Sequence, residues 1–166
     1  QEGKKYLVGN IEIKGCVTFP QGEVRKKLKM IPGSTFNQGG LSEDKTGIEG
    51  FYFDKGYILA HVKSSCSLNP DTGNIDILYD INENELVYVN KINIRGNVKT
   101  KDVVIRRELK ISPGEAFDGK NLGRSKQRLL NLGYFEDVSY DIEPGVSQKT
   151  RDLLVNVKEA KTGEFR

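Results

Sequence analysis

Apolar and polar residues alternate strictly at two places in this chain. Ile11 and Ile13 alternate with Glu12 and Lys14, and 81 positions later Ile92 and Ile94 alternate with Asn93 and Arg95. A period of two marks a half-buried strand. Gly15 and Gly96 follow, where the strand must end in a backbone conformation with positive φ. The pattern then turns helical: Val24, Leu28 and Ile31 stand at i, i+4 and i+7, matched by Ile105, Leu109 and Ser112. This predicts a first helix, opened by Pro20 in one copy and capped by Thr100 in the other. Pro32-Gly33 and Pro113-Gly114 break the chain after it.

A second helix is predicted from near Ser42, with Glu43 and Asp44 favouring its N-terminal dipole. Ile48, Phe51 and Tyr52 form its apolar stripe. In the other copy Asp118 is the expected N-cap, with Leu122, Leu129 and Leu130 in the stripe. Gly56 and Gly133 stop the two helices at C′. Two further strands complete each copy. Ala60, Val62 and Cys66 share one face of the first, and His61 and Lys63 take the other. Asn69 to Asn74 reads as a hairpin turn, with Pro70 preset at i+1 and Gly73 free to adopt the left-handed conformation. Ile75, Ile77, Tyr79 and Ile81 alternate along the last strand. Val138, Tyr140 and Ile142, then Leu153, Val155 and Val157, are the corresponding positions later on.

The chain therefore writes one strand–helix–helix–strand–strand unit twice. "KLKMIPGSTF" at Lys27–Phe36 returns as "ELKISPGEAF" at Glu108–Phe117, an offset of 81. Past Leu41 and Leu122 the offset falls to 77, so Gly56-Tyr57 aligns with Gly133-Tyr134. The four-residue difference is close to one helical turn. It lengthens a helix while keeping its buried face, which supports a helix there in both copies. "NENEL" at Asn82–Leu86 is the linker, and the expected domains are 1–84 and 85–166 of an α+β chain, two tandem units with helices on one face of each sheet.

Composition narrows the function. With 26 basic and 23 acidic side chains the formal charge is only +3, too balanced for a dedicated nucleic-acid binder. Cys16 and Cys66 form no CxxC pair, and the one histidine, His61, reads as an exposed strand residue. Cys16 follows the first strand and Cys66 lies late in the second; with those strands antiparallel the two sulfurs sit near opposite ends of the sheet, so two free thiols are expected. Asp71, Asp76, Asp80, Glu83 and Glu85 lack the spacing of a calcium loop. No nucleophile–base pattern or phosphate-binding loop is present, so neither enzyme activity nor a cofactor or metal is expected. The chain starts at Gln1 rather than Met and contains no leader and no apolar run of membrane-spanning length, which reads as a segment of a longer protein.

The order, spacing and duplication of these motifs resemble the POTRA repeat, the periplasmic module of the outer-membrane β-barrel assembly proteins. "INIRGNVKTKDVVIRRELKISPGEAF" followed by "LGRSKQRLLNLGYFEDVSYDIEPG" is similar to the last repeat before the barrel. The closing "VKEAKTGEFR", through Thr162, Gly163 and Phe165, resembles the passage into the first barrel strand. The first copy departs from the pattern in its longer second helix and in Cys16, where the second copy has Asn97.

The resemblance implies a three-stranded mixed sheet with the last strand central and the middle strand, Tyr57 to Cys66 or Phe135 to Ile142, at an edge. Unpaired edge groups could take up an unfolded outer-membrane β-barrel precursor as an added strand. Tyr57, Leu59, His61, Lys63, Phe135, Val138 and Tyr140 are the candidate pairing residues; the alternative is that such edges face only water. The resemblance also implies accessory lipoproteins as partners, with Arg106 and Arg107 of the first-helix region as docking candidates. A C-terminal β-barrel of the same chain and a periplasmic location at the outer membrane are implied too. The basic residues Arg25, Lys26, Lys27, Lys29, Arg106, Arg107 and Lys110 read either as a solvated helix face or as contacts to an acidic partner or anionic headgroups. Two other functions compete. One is the POTRA region of a two-partner secretion transporter, which would recognise one exported protein. The other is a KH-like RNA-binding unit, but neither copy has the GxxG clamp that it needs.

Overall fold

The computed structural model describes residues 4–161; the expected passage into a barrel strand at Thr162, Gly163 and Phe165 lies outside them. The elements are β1 (Val8–Lys14), α1 (Gln21–Arg25), α2 (Gln38–Asp54), β2 (His61–Leu68) and β3 (Ile75–Asn82), then β4 (Tyr88–Arg95), α3 (Asp102–Arg106), α4 (Gly119–Asn131), β5 (Phe135–Pro144) and β6 (Thr150–Glu159). There are two separate three-stranded sheets, ordered β1-β3-β2 and β4-β6-β5. In each, the last strand is central, parallel to the first and antiparallel to the middle one. The chain divides into two compact units after Asn84, and Asp54–Ile58 belongs to the second. This differs from the 1–84 and 85–166 division at those five residues. Within the second unit the Gly56 carbonyl accepts the Val87 N–H at 3.1 Å.

The first unit builds its core from alternate strand positions and one helix stripe. Val8, Ile11, Ile13, Val62, Ile77, Tyr79 and Ile81 are buried under Val24, Leu41, Ile48 and Tyr52. In the second unit Val89, Ile92, Val138, Leu153, Val155 and Val157 lie under Ile105, Leu122 and Leu129. The second helices are 17 and 13 residues long, so the four-residue offset is one helical turn, as the repeat alignment requires.

The first helices are shorter than their apolar spacing suggests. α1 and α3 have five residues each, ending at caps Lys26 and Arg107. Beyond the cap the helical period no longer applies. Leu28 and Leu109 are half-buried, Ile31 is 58% exposed, and Met30 and Ile111 enter the cores instead. Thr100 does not cap α3. Lys101 holds that position without a side-chain bond, because the Thr100 hydroxyl is engaged by Glu159.

α2 starts at Gln38 rather than near Ser42, since the Asn37 side chain accepts the Gly40 N–H at 2.6 Å. Asp118, at the same place in the second unit, accepts from Lys120 and Asn121 N–H as expected. With α2 starting earlier, Asp44 moves out of the first turn into the interior. It is fully buried, accepting the N–H groups of Lys29 (2.6 Å) and Met30 (3.3 Å) and the Tyr79 hydroxyl (2.7 Å). Ser125 does the same in the second unit, accepting from Lys110 N–H at 2.8 Å. Both residues tie the second helix to the segment after the first.

Candidate functional site

A three-stranded sheet has two edges, so four strands here could take up another strand. The outer edge of β1 is engaged at Val8 and at the Ile11 and Ile13 carbonyls. Val8 N–H bonds to the Ser34 carbonyl at 2.8 Å, and the Val8 carbonyl accepts Gly33 N–H at 2.8 Å. Further along, the Arg25 guanidinium donates to the Ile11 carbonyl at 2.9 Å and the Gln21 amide to the Ile13 carbonyl at 3.2 Å. β4 begins the same way, with Val89 bonded to Gly114 and Glu115 at 2.8 Å. Arg106 holds Arg25's place in the repeat but pairs with Asp102 at 3.7 Å. Among the described residues no side chain reaches the Ile92 or Ile94 carbonyl, which leaves a window of two outward residues before Gly96.

β2 offers more. Asn69 N–H donates to the Asn74 carbonyl at 2.8 Å. Ladder bonds in an antiparallel pair alternate, so Ser67/Asp76, Ser65/Leu78, Lys63/Asp80 and His61/Asn82 are the bonded pairs. Val62, Ser64, Cys66 and Leu68 therefore turn their main-chain groups outward. Val62 N–H is already taken by the Glu49 carboxylate at 2.9 Å. Ser64, Cys66 and Leu68 remain, all exposed and without a bonded partner among the described residues.

In β5 the Ala160 N–H donates to the Tyr134 carbonyl at 2.9 Å. Continuing that alternation past the register shift between Phe135 and Asp137 turns Val138, Tyr140, Ile142 and Pro144 outward. Pro144 has no N–H to offer. Glu136, Asp137, Asp141 and Glu143 line this strand, and Glu136 pairs with Lys158 at 3.4 Å.

The residues singled out from sequence thus fall in different places. Tyr57 and Leu59 precede β2 in a turn, and the Leu59 carbonyl accepts the Asn84 amide at 2.8 Å. They are not strand-edge residues. His61 and Lys63 lie in β2 on the helix-free face, but their main-chain groups point at β3. Phe135 is buried at the register shift. Val138 and Tyr140 do face the outer edge with their main chain, and the Tyr140 hydroxyl donates to the Leu122 carbonyl at 2.7 Å. The outward residues of β2 were missed because alternation of side chains was followed, whereas the free donors and acceptors belong to the opposite parity. The hairpin closure at Asn69 and Asn74 fixes that parity. Arg106 and Arg107 are exposed at the end of α3.

Two carboxylates hold the loops that lead into the first helices. Glu83 accepts from Val17 N–H, Thr18 N–H and the Thr18 hydroxyl at 2.9–3.1 Å, and from the Tyr52 hydroxyl. Glu159 accepts from Val98, Lys99 and Thr100 N–H and the Thr100 hydroxyl at 2.8–3.1 Å. Burial works to raise both carboxyl pKa values, but these donors outweigh it, the Tyr52 and Thr100 hydroxyls foremost, and both end below the usual range. Burial first, and then the bond to Glu83, raises the Tyr52 phenol. Cys16 and Cys66 are free; the Cys16 thiol donates to the Phe19 carbonyl at 3.2 Å, and Cys66 is exposed opposite Ile77. Among the described residues no cluster of His, Cys, Asp and Glu could hold a metal, and no helix is long and apolar enough to cross a membrane.

Comparison with known proteins adds to this geometry. A family profile described as POTRA, surface antigen variable number repeat, matches residues 6–84 and 87–160. Outer membrane protein assembly factor BamA of Nitratidesulfovibrio vulgaris is 32% identical over 98% of this chain, and BamA of Neisseria meningitidis serogroup B is 33% identical over 99%. The chain spans 21% of the length of each. A crystal structure of BamA from Haemophilus ducreyi lacking POTRA domains 1–3 superposes with a TM-score of 0.78 at 26% identity, over 96% of this chain and 30% of that one. POTRA3-5 of Haemophilus influenzae BamA superposes with a TM-score of 0.82 at 22% identity, over 93% of this chain and 61% of that one.

Proposed function

Since the chain belongs to the POTRA family and carries two of its repeats, we propose that it is the periplasmic part of an outer-membrane protein assembly factor. In this reading it receives unfolded β-barrel precursors by strand addition and docks accessory lipoproteins of the assembly complex. It does no chemistry of its own. A barrel in the same protein holds it at the outer membrane. The observation that carries the reading is the pair of sheets whose middle strands, β2 and β5, stand at an edge. Main-chain pairing at an edge is nearly blind to sequence, which suits a carrier of many clients. Similarity to BamA of two organisms over nearly the whole of this chain supports the same reading over recognition of one exported protein. The match to a BamA structure lacking POTRA domains 1–3 supports a place next to the barrel.

Photo-cross-linkers placed at Ser64 and at Tyr140 test this. Several unrelated unfolded barrel precursors should cross-link, and an unfolded soluble protein should not. Capture of a single exported protein, or equal capture of the soluble control, would overturn it. For partner docking, charge reversal Arg107→Glu should weaken capture of the accessory lipoproteins without weakening precursor cross-linking. Equal loss of both would count against a separate docking site at Arg106 and Arg107.

A further inference from the structure

Taking strand addition at the β2 edge from the reading above, we propose that Lys63 decides which segment that edge accepts: an antiparallel one carrying a carboxylate opposite Lys63. The proposal rests on the reading above and adds what the β2 edge prefers. Three observations carry it. First, the edge is vacant: Ser64, Cys66 and Leu68 point their N–H and carbonyl groups outward, whereas Arg25, Gln21 and the Gly33–Ser34 turn engage the β1 edge. Second, the stretch from Ser64 to Leu68 has no edge protection of its own: Lys63 and the Glu49 bond to Val62 N–H both lie just before it. The register of β2 against β3 runs unbroken from His61 to Leu68, and the strand holds no proline and no acidic residue. Its outer half is small, with Ser64, Ser65, Cys66 and Ser67 exposed. β5 has the usual protections of an exposed edge: a register shift, four carboxylates and a terminal proline.

The third observation is charge. Lys14 on β1, Asp80 on β3 and Lys63 on β2 are in register across the helix-free face. The row alternates positive, negative, positive and stops at the edge. Because Lys63 turns its main-chain groups toward β3, an antiparallel neighbour meets it as a non-hydrogen-bonded pair, the geometry in which side chains approach most closely. Opposite charges placed there favour the pairing and like charges oppose it. A client segment with an acidic residue at that point extends the alternation by one strand.

The test uses the isotopically labelled 166-residue chain and two ten-residue peptides of alternating threonine and valine, one with a central aspartate and one with a central lysine. The aspartate peptide should slow amide exchange at Ser64, Cys66 and Leu68 but not at Lys63 or Ser65, whose amides already bond to β3. It should bind at least fivefold more tightly than the lysine peptide, and Lys63→Glu should reverse that order. Cys66→Pro, which removes one outward N–H and no ladder bond, should abolish binding of both. Slowed exchange at Val138, Tyr140 and Ile142 instead, or an unchanged preference in Lys63→Glu, overturns the proposal. So does protection of β2 that rises with protein concentration alone, since a second copy would then be the occupant. If neither peptide binds while unfolded barrel precursors still cross-link to the chain, this inference falls and the proposed function stands. If the precursors fail as well, both fall.

Discussion

Replacing Gly96 by valine should destabilise the second repeat selectively. Gly96 lies at φ +92°, directly after β4. A side chain in that left-handed conformation costs about 1–2 kcal/mol. A Cβ built there would also overlap the carbonyl oxygen of Val157 on the central strand and come within 3.1 Å of its carbonyl carbon. That carbonyl belongs to backbone and cannot swing aside, so the end of β4 must lift from β6. The adjacent Arg95–Asn156 pairing is then lost, at about 0.5–1.5 kcal/mol for each ladder bond. The sum is about 2–4 kcal/mol, a large share of the stability of a small domain. Amide exchange in β6 should accelerate about 30- to 1,000-fold, since each 1.4 kcal/mol is tenfold. Exchange in β3 of the first repeat should stay unchanged. Gly96→Asn set beside Gly96→Ala separates the two causes: both carry a Cβ, but asparagine tolerates positive φ better. If overlap dominates, the asparagine and alanine variants lose equal stability; if φ dominates, asparagine recovers most of the loss. A valine variant within 0.5 kcal/mol of the parent, or equal acceleration in β3, would refute the reasoning.

Three further outcomes are expected. Asp44→Ala strands the Tyr79 hydroxyl and two N–H groups in the first core and should cost about 3–5 kcal/mol in urea unfolding; Asp44→Ser, which copies Ser125, should recover part of it. Gly50 in α2 and Gly123 in α4 have nothing within 4 Å of an added Cβ, so alanine at each should raise stability by about 0.5–1 kcal/mol, and a loss at either would reveal a contact that the fold does not show. The Glu159 carboxyl is held below its unfolded value of about 4.3, so its stabilisation is complete above that pH and fades as pH falls through the folded value. Glu159→Gln should therefore be less stable than the parent at pH 7 and draw level with it in acid, as read by unfolding midpoints from pH 7 to pH 2.

The repeat, the strand order of elements and the one-turn difference between α2 and α4 were legible because each leaves a periodic mark on the chain. The ends of α1 and α3 were not. Leu28 and Ile31 continue a helical spacing that the backbone abandons at Lys26, and only the packing of Met30 shows where the core resumes. Asp44 looked like a first-turn carboxylate because Asn37, three residues ahead of Gly40, was not recognised as the cap. The candidate edges were half legible. Alternation identified β2 and β5 as strands, and the POTRA resemblance placed them at the edges. Which residues of β2 face outward depends on a single hydrogen bond at the Asn69–Asn74 hairpin, and alternation of side chains carries no record of it.

The carboxylates at the ends of the two central strands also bear on how the repeats respond to force. A pull along the backbone at Ala160 is felt first by β6, which is flanked on both sides by ladder bonds lying across the direction of pull. Bonds arranged that way resist in shear and must give together, whereas a hairpin peeled from one end gives one bond at a time. Glu159 adds its grip on the Val98–Thr100 loop at the point where the strain enters. A pull along β6 is therefore opposed by both ladders at once, rather than by one bond at a time.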